Sequence, residues 1–381
     1  MISPGRLSVH DTSSYNGVMN ATVQVRARSG WARPLLLIWC VLIGYMSLYP
    51  FVGWRYQGVG LFAFMVGPWP RQLYLLDVIL NIAGYVPLGV LLVVAFRWRA
   101  RWHGLMLALG AGFGLSALME GLQGFLPVRV SSSTDLVANA AGALAGGLIG
   151  GWLKPHLGPA GWFHRSRARW FRQGADIDLT LVLLLVWPLT QLLPGAQAFA
   201  TGDFRSVLGE PTVTLHPAEV FVLVDALVAF GQVVVLGLLW QRVLAPGCSP
   251  ALPLVALVAL ACFARLLALA WFTRGAPLPG LLTPGALGGL CAAGFALPWL
   301  ARFHRLRLER VGLAVLLLVI LVLNLAPLNP YLVDPVGGRY PVYESSLRAL
   351  AALAAGLWPV LAVLVFLRLA RRAGDRPIMP L

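Results

Sequence analysis

The chain has 381 residues, of which 59% are hydrophobic and 11% are charged, and its mean hydropathy is +0.79. Soluble domains carry about 25% charged residues, so the composition excludes an ordinary soluble protein. The formal net charge of +15 would suggest nucleic-acid binding in a soluble protein. Here the basic residues lie in short segments between apolar runs, so we expect them to set membrane orientation and expect no nucleic-acid partner.

Apolar runs recur along the chain, and runs of about 20 apolar residues cross a membrane as helices. We predict an all-α fold, a polytopic transmembrane helix bundle with about ten spans. The predicted spans lie at about 35–53, 77–96, 104–125, 136–153, 179–194, 219–239, 252–272, 284–300, 311–328 and 347–367.

The N-terminal region is polar and precedes the first apolar run. Residues 1–30 lack the apolar core of a cleavable signal peptide. We therefore expect the first run, Leu35–Phe51, to stay in the membrane as an anchor. Met1 and Met19 remain alternative starting residues.

Basic residues alternate between the two sets of loops. Of the 29 Lys and Arg residues, 21 fall on the loop set that includes both ends and seven fall on the other set. Cytoplasmic loops carry the excess of basic residues in membrane proteins. The pattern predicts that both ends are cytoplasmic, in the inner membrane of a bacterium.

Polar pairs mark the predicted outer ends of spans 2, 3 and 4. Ionisable groups inside a span cost about 2.5–3.5 kcal/mol and are functional candidates by default. Within each pair the residues are three or four apart and so share one helix face. We expect them to lie at one level with the cation Arg129 of an outer loop. The pairs are Asp77 with Asn81, Glu120 with Gln123, and Asp135 with Asn139.

Each carboxylate has a structural alternative. Asp77 and Asp135 are placed where a helix N-terminal cap would stand, since the helix dipole favours a carboxylate there. Glu120 lies in the C-terminal half of its helix, where the dipole disfavours it. We expect Glu120 to be buried with a polar partner, Arg129 being the first choice. The intervening Ser131–Thr134 would supply donors, or Ser133 or Thr134 would cap span 4.

Span 4 also carries glycines at every fourth position, Gly142, Gly146 and Gly150. Small residues at this spacing let helices approach closely in a membrane. We interpret them as a packing stripe that brings span 4 against its neighbours and gathers the polar pairs. A similar run begins at Gly285 in span 8, a weak indication of an internal duplication.

Together these segments resemble the VanZ-like family over about residues 35–153. The matching motifs are Ser47–Phe51, Asn81–Gly89, Glu120–Gln123 and Arg129–Gly142. The family takes its name from a protein associated with resistance to the glycopeptide teicoplanin, and it has no agreed biochemical activity. The resemblance implies a four-helix membrane domain with its signature residues on the outer side. Carried over, these are Asn81, Glu120, Gln123, Arg129, Asp135 and Asn139, to which we add Asp77 as a ligand-binding candidate.

One departure from the family pattern bears on metal binding. Many members have an acidic residue between the Arg and the Asp of the third motif, where this chain has Ser131–Thr134. The cysteines and histidines also lack metal-site spacing. We therefore expect no metal and no cofactor.

These observations predict a domain organisation. A basic cytoplasmic segment (1–34) precedes a VanZ-like four-helix domain (35–153), and a basic cytoplasmic loop (154–178) follows it. A six-helix membrane domain (179–368) and a cytoplasmic tail (369–381) complete the chain. In the six-helix part, Asp225 and Arg265 are expected to pair, a pairing that is usually structural.

Several functions fit the polar set. The leading hypothesis is an envelope protein that binds or modifies a membrane lipid, a lipid-linked glycan precursor or a glycopeptide-type antibiotic at the outer leaflet. Arg129 would hold an anionic head group, since guanidinium binds phosphate or carboxylate bidentately. Glu120 and Asp135 would orient it, or one would act as a general base. A membrane enzyme of exopolysaccharide or lipid metabolism and a transporter are the alternatives. No catalytic residue is assigned, and the oligomeric state stays open.

Overall fold

The computed structural model of the chain describes residues 32–67, 69, 75–96, 98–157, 161–193, 195–205, 216–272, 282–300, 302, 305–329 and 342–374. Nearly all of the predicted N-terminal cytoplasmic segment lies outside the described residues. So does the end of the predicted tail, 375–381.

The described residues are helical, as the composition predicted. Their one β-type pairing is an isolated bridge between Phe171 and Leu244. A short 3-10 helix, Ala63–Met65, follows α1, and another, Trp187–Leu192, extends α6. The α-helices are α1 (Ala32–Leu48), α2 (Leu75–Ala95), α3 (Arg101–Gln123), α4 (Ser133–His156), α5 (Trp162–Trp170), α6 (Ala175–Val186), α7 (Ala218–Val243), α8 (Ala251–Phe272), α9 (Pro284–Leu300), α10 (Arg305–Leu325) and α11 (Val342–Gly374).

Eight of the helical segments are long and apolar enough to cross a membrane. They belong to α2, α3, α4, α6 with its 3-10 extension, α7, α8, α10 and α11. The remaining predicted spans fall on α1 and α9, which are shorter apolar helices of 17 residues each. Such a helix rises about 25 Å, at the lower limit for spanning the hydrocarbon core. The protein is a multi-pass helical membrane protein.

Two predicted spans end at least three residues earlier than expected. The first was predicted to reach residue 53, but α1 ends at Leu48. The ninth was predicted to reach residue 328, but α10 ends at Leu325. In each case a proline follows within two residues, Pro50 or Pro327. Proline has no backbone N–H and cannot continue a helix. The predicted ends, which were placed by apolar composition, therefore lie beyond the ends of the helices.

The chain divides into two compact units, Met1–Arg165 and Ser166–Leu381. Unit 1 contains α1 to α4, and its buried core includes Ile43, Tyr85, Leu88 and Met119. The domain limits inferred from the sequence, including a linking loop at 154–178, stay a prediction.

In unit 1 the glycine stripe of α4 lies against α2, which confirms its predicted packing role. A Cβ atom at Gly142 or Gly146 would overlap the backbone of Ile82 or Val86. At Gly150 it would come within 3.0 Å of the Val90 backbone. The two helices therefore run backbone to backbone. Since both begin at the same end of the unit, their polar first turns are brought side by side.

Unit 2 is built around α7, which is the most buried of the candidate spans. Glycines of α9 meet its backbone as those of α4 meet α2, with Gly285 over the Val222 carbonyl and Gly289 over the Ala226 carbonyl. The sequence similarity between the two glycine runs therefore follows from the same packing requirement in each unit.

Candidate functional site

The candidate site lies at one end of unit 1. There α1 and α3 end, while α2 and α4 begin. Helix termini leave backbone N–H and C=O groups without intrahelical partners. The predicted polar residues supply many of the missing partners, so the site is built first of all from helix ends.

Glu120 is in the last turn of α3 and is only 3% exposed. Its Oε2 accepts a hydrogen bond of 2.8 Å from the backbone N–H of Ser132. Its backbone carbonyl accepts one of 2.6 Å from the Ser131 hydroxyl. The carboxylate thus sits at the N-terminus of α4, where the helix dipole favours a negative charge. Its other oxygen, Oε1, accepts no hydrogen bond from the residues that the structure describes.

The predicted partnership of Glu120 and Arg129 is therefore indirect. The guanidinium is close enough to interact electrostatically with the Glu120 carboxylate. The hydrogen bond to that carboxylate, however, comes from the Ser132 backbone N–H. Ser132 is also the N-cap of α4, because its hydroxyl accepts from the Thr134 backbone N–H at 3.2 Å. The expected cap, Ser133 or Thr134, was thus one or two residues too late.

Arg129, 8% exposed, binds the end of α1. Its Nε and Nη2 donate to the Tyr49 carbonyl at 3.0 and 2.7 Å, and Nη2 also donates to the Met46 carbonyl at 3.0 Å. Gln123 donates to the neighbouring Ser47 carbonyl at 2.9 Å. These groups satisfy carbonyls that the helix end leaves open. Residue type and spacing did not indicate this role, and the predicted anion-binding role of Arg129 stays a prediction.

The charge of Arg129 is secure despite its burial. Burial lowers the pKa of its guanidinium, and the nearby carboxylates of Glu120 and Asp77 oppose that shift. The ordinary pKa of an arginine lies so far above neutral pH that the guanidinium stays protonated despite this shift. The site therefore contains a permanent cation next to the end of α1.

Two carboxylates, those of Glu120 and Asp77, interact with this cation, and a third, that of Asp135, interacts with Asp77 and Glu120. Asp77 interacts electrostatically with Arg129, Glu120 and Asp135. Asp77 and Asp135 are in the first turns of α2 and α4, which the dipole favours, and both are half-buried. Across the described part of the chain, no three His, Cys, Asp or Glu side chains are grouped so that they could hold a metal ion.

A deeper polar layer lies one helical turn inward. Asn139 is 5% exposed, and its Nδ2 donates to the Ser116 hydroxyl at 2.9 Å. The Tyr85 hydroxyl lies beside Ser116 and interacts with Glu120, and Asn81 lies beside Asp135.

Three buried atoms of this layer have no hydrogen-bond partner among the described residues: Asn139 Oδ1, Tyr85 Oη and Asn81 Nδ2. Leaving such an atom unsatisfied costs about 1–3 kcal/mol, and a native protein normally meets it with water or a ligand. The layer is therefore suited to holding a small polar group.

The structure brings all seven predicted residues to this end of unit 1, with Gln123 facing the end of α1. Ser116 and Tyr85 were not among the predicted residues. Ser116 lies four residues before Glu120, and Tyr85 lies four residues after Asn81, so each continues the same helix face. That spacing was the available signal, but a serine and a tyrosine in apolar helices look like ordinary packing residues.

Unit 2 has its own buried polar group. Asp225 interacts with Arg265 electrostatically, as predicted, and it accepts hydrogen bonds from Thr283, at 2.7 Å, and from Gln197. Arg265 donates to the Ala196 carbonyl at 2.7 Å. These contacts hold the segment after α6 against α7, α8 and α9, which is a structural role.

Comparison with known proteins adds one finding. Residues 24–154 match the family model described as VanZ/LLP1, which confirms the resemblance for that segment of the chain. No curated protein and no solved structure matches the chain. The VanZ-like segment contains all of the candidate site.

Proposed function

We propose that this is a bacterial inner-membrane protein whose VanZ-like unit binds or acts on a cell-envelope component at the outer leaflet. The component is a lipid, a lipid-linked glycan precursor or a glycopeptide-type antibiotic. The observation that carries the proposal is the Glu120 carboxylate. Its side chain is 3% exposed, and the hydrogen bond that holds the carboxylate comes from the Ser132 backbone N–H to Oε2.

A buried charge is a poor way to stabilise a helix bundle. Removing a carboxylate from water costs several kcal/mol, and well-packed apolar groups of similar size are often as stable. Intramembrane ionisable residues accordingly mark functional sites by default. A largely buried carboxylate held by one hydrogen bond to a backbone N–H fits that expectation better than a purely structural role.

The orientation of the site supports an outer-leaflet ligand. The distribution of basic residues favours cytoplasmic ends, which would place the ends of α1 and α3 on the outer side. The half-buried Asp77 and Asp135 then lie nearest the outer surface, with Asn139 and Tyr85 further in. A head group entering from the outer leaflet would meet the two aspartates before it reached Glu120.

The test compares Glu120→Gln with Glu219→Gln. Glutamine keeps the shape and one carbonyl acceptor of Glu120 but removes its charge. Glu219, in the first turn of α7, is an exposed carboxylate outside the site, so its variant is the matched control. Mass spectrometry of the purified full-length proteins would measure co-purifying envelope lipids and lipid-linked precursors.

We expect the wild type and Glu219→Gln to retain the same envelope component and Glu120→Gln to lose at least about tenfold of it. One charge-assisted hydrogen bond is worth that much. Equal retention by all three proteins, or none by the wild type, would contradict the proposal. Growth under teicoplanin, at matched protein levels, then measures whether resistance depends on the same carboxylate.

A further inference from the structure

We infer that the group received by this site carries a protonated amine. The inference rests on the proposed function and specifies its ligand chemistry. Two independent features of unit 1 lead to it: the charge balance around Glu120, and the kind of hydrogen-bonding atoms that the surrounding side chains leave unpaired.

The charge balance favours a cation. Glu120 and Asp135 each interact with Asp77 and with each other, and the guanidinium that acts on Glu120 and Asp77 among the described residues is that of Arg129. Arg129 directs three hydrogen bonds to the Met46 and Tyr49 carbonyls, so much of its donor capacity serves the end of α1. Carboxylates that share one site repel each other unless a cation or protons intervene. A phosphate or carboxylate ligand would add to that repulsion.

Two of the three unpaired buried atoms can accept hydrogen bonds, and the third, Asn81 Nδ2, is a donor that lies beside Asp135. Glu120 Oε1 and Asn139 Oδ1 are acceptors, and both side chains are more than nine-tenths buried. The Tyr85 hydroxyl, buried to the same degree and also without a partner, can accept as well. It interacts with Glu120, and Asn139 is bonded to Ser116, one turn from Glu120. A primary ammonium supplies three donors and a positive charge.

Such an ammonium has two sources in an envelope. One is the ethanolamine head group of a membrane lipid. The other is the free amine of an amino sugar or a peptide. Both present the same chemistry to the site, so the experiment needs one comparison for each source, and each comparison needs a ligand that differs in the amine alone.

The lipid comparison uses short-chain phosphatidylethanolamine and phosphatidylcholine, titrated onto the full-length protein and followed by native mass spectrometry. Both lipids carry the phosphate, but the choline nitrogen has no N–H donor. The soluble comparison uses glucosamine and N-acetylglucosamine. We expect the amine to bind about ten- to a hundredfold more tightly than its blocked counterpart in at least one comparison, the value of one charge-assisted hydrogen bond.

The same titrations on Glu120→Gln and Glu219→Gln show where the amine binds. The preference should fall to less than about threefold in Glu120→Gln and persist in Glu219→Gln. Equal binding of amine and blocked amine in both comparisons would overturn the inference, as would a preference that survives Glu120→Gln. If an envelope component is still retained through Glu120 in that case, the proposed function stands and its amine chemistry is wrong.

Discussion

At the scale of single residues, the site shows two charged side chains that serve helix ends. Arg129 meets carbonyls at the C-terminal end of α1, and Glu120 meets a backbone N–H at the N-terminal end of α4. Each charge has the sign that the local helix dipole favours. Part of the polar cluster is therefore structural. The atoms available to bind a ligand are those that do not take part in these hydrogen bonds.

This division predicts the effect of Arg129→Ala. The change removes charge-assisted hydrogen bonds to the Tyr49 and Met46 carbonyls. It also removes the cation that lies near the Glu120 and Asp77 carboxylates. We expect a loss of about 3 kcal/mol in the free energy of unfolding, measured by denaturant titration of the purified protein in detergent.

Arg55→Ala is the matched control for that measurement. Arg55 is exposed, and its contact in unit 1 is the bond from its backbone N–H to the Phe125 carbonyl, which the substitution keeps. Its stability should change by less than about 0.5 kcal/mol. Similar stabilities for both variants would show that the bonds of Arg129 to α1 contribute little.

Residue type and spacing were enough to select seven polar side chains of unit 1 before any coordinates. They were not enough to pair them. Glu120 and Arg129 are nine residues apart and of opposite charge, yet the Glu120 carboxylate accepts from a backbone N–H and Arg129 donates to backbone carbonyls. Which open N–H or C=O lies within reach depends on where helices begin and end, and proline and serine positions fix those ends only approximately.

At the scale of helices, the position of the site depends on the contact between α2 and α4. Glycines 142 and 146 of α4 lie over backbone carbonyls of α2. The side-by-side placement of the first turns follows from this contact. The polar pairs predicted on separate spans meet because no side chain stands between the two helices along the stripe.

The contact predicts opposite outcomes for two glycines of α4. In Gly146→Ala the new methyl group would overlap the Val86 carbonyl, so a backbone must shift, at a cost of about 1–3 kcal/mol. In Gly151→Ala the methyl group meets open space, and helix propensity favours alanine by up to about 1 kcal/mol. Thermal unfolding in detergent measures both.

We expect a lower midpoint for Gly146→Ala and an equal or higher midpoint for Gly151→Ala. The same variants also report on the site. Because the contact positions the polar turns, Gly146→Ala should weaken retention of the envelope component, whereas Gly151→Ala should leave it unchanged. A stable Gly146→Ala protein would contradict the close contact.

At the scale of the whole molecule, the proposed orientation follows from charge. The 21 basic residues on one set of loops against seven on the other lead us to propose that the connection between α2 and α3 is inside and the connection between α3 and α4 outside. The two units each bury their own core, and the candidate site belongs entirely to unit 1.

Cysteine labelling tests this orientation. The four native cysteines, Cys40, Cys248, Cys262 and Cys291, are first replaced by serine. Arg99→Cys then probes the connection between α2 and α3, and Val130→Cys probes the connection between α3 and α4, where Val130 is 79% exposed.

An impermeant maleimide added to spheroplasts should label Val130→Cys at once and Arg99→Cys only after permeabilisation. The reverse pattern would place the site on the cytoplasmic side. It would remove the basis for an outer-leaflet ligand while leaving the multi-pass fold intact.

The sequence by itself determined the helical membrane class, the positions of the apolar spans, the glycine stripe and the membership of the polar set. These properties depend on composition and local spacing, which the chain carries in consecutive residues. Tertiary structure decided the partners: Arg129 at the end of α1, Glu120 at the start of α4, and Ser116 and Tyr85 in the inner layer. Those pairings depend on how helices from distant segments are placed, and the same spacing permits many such placements.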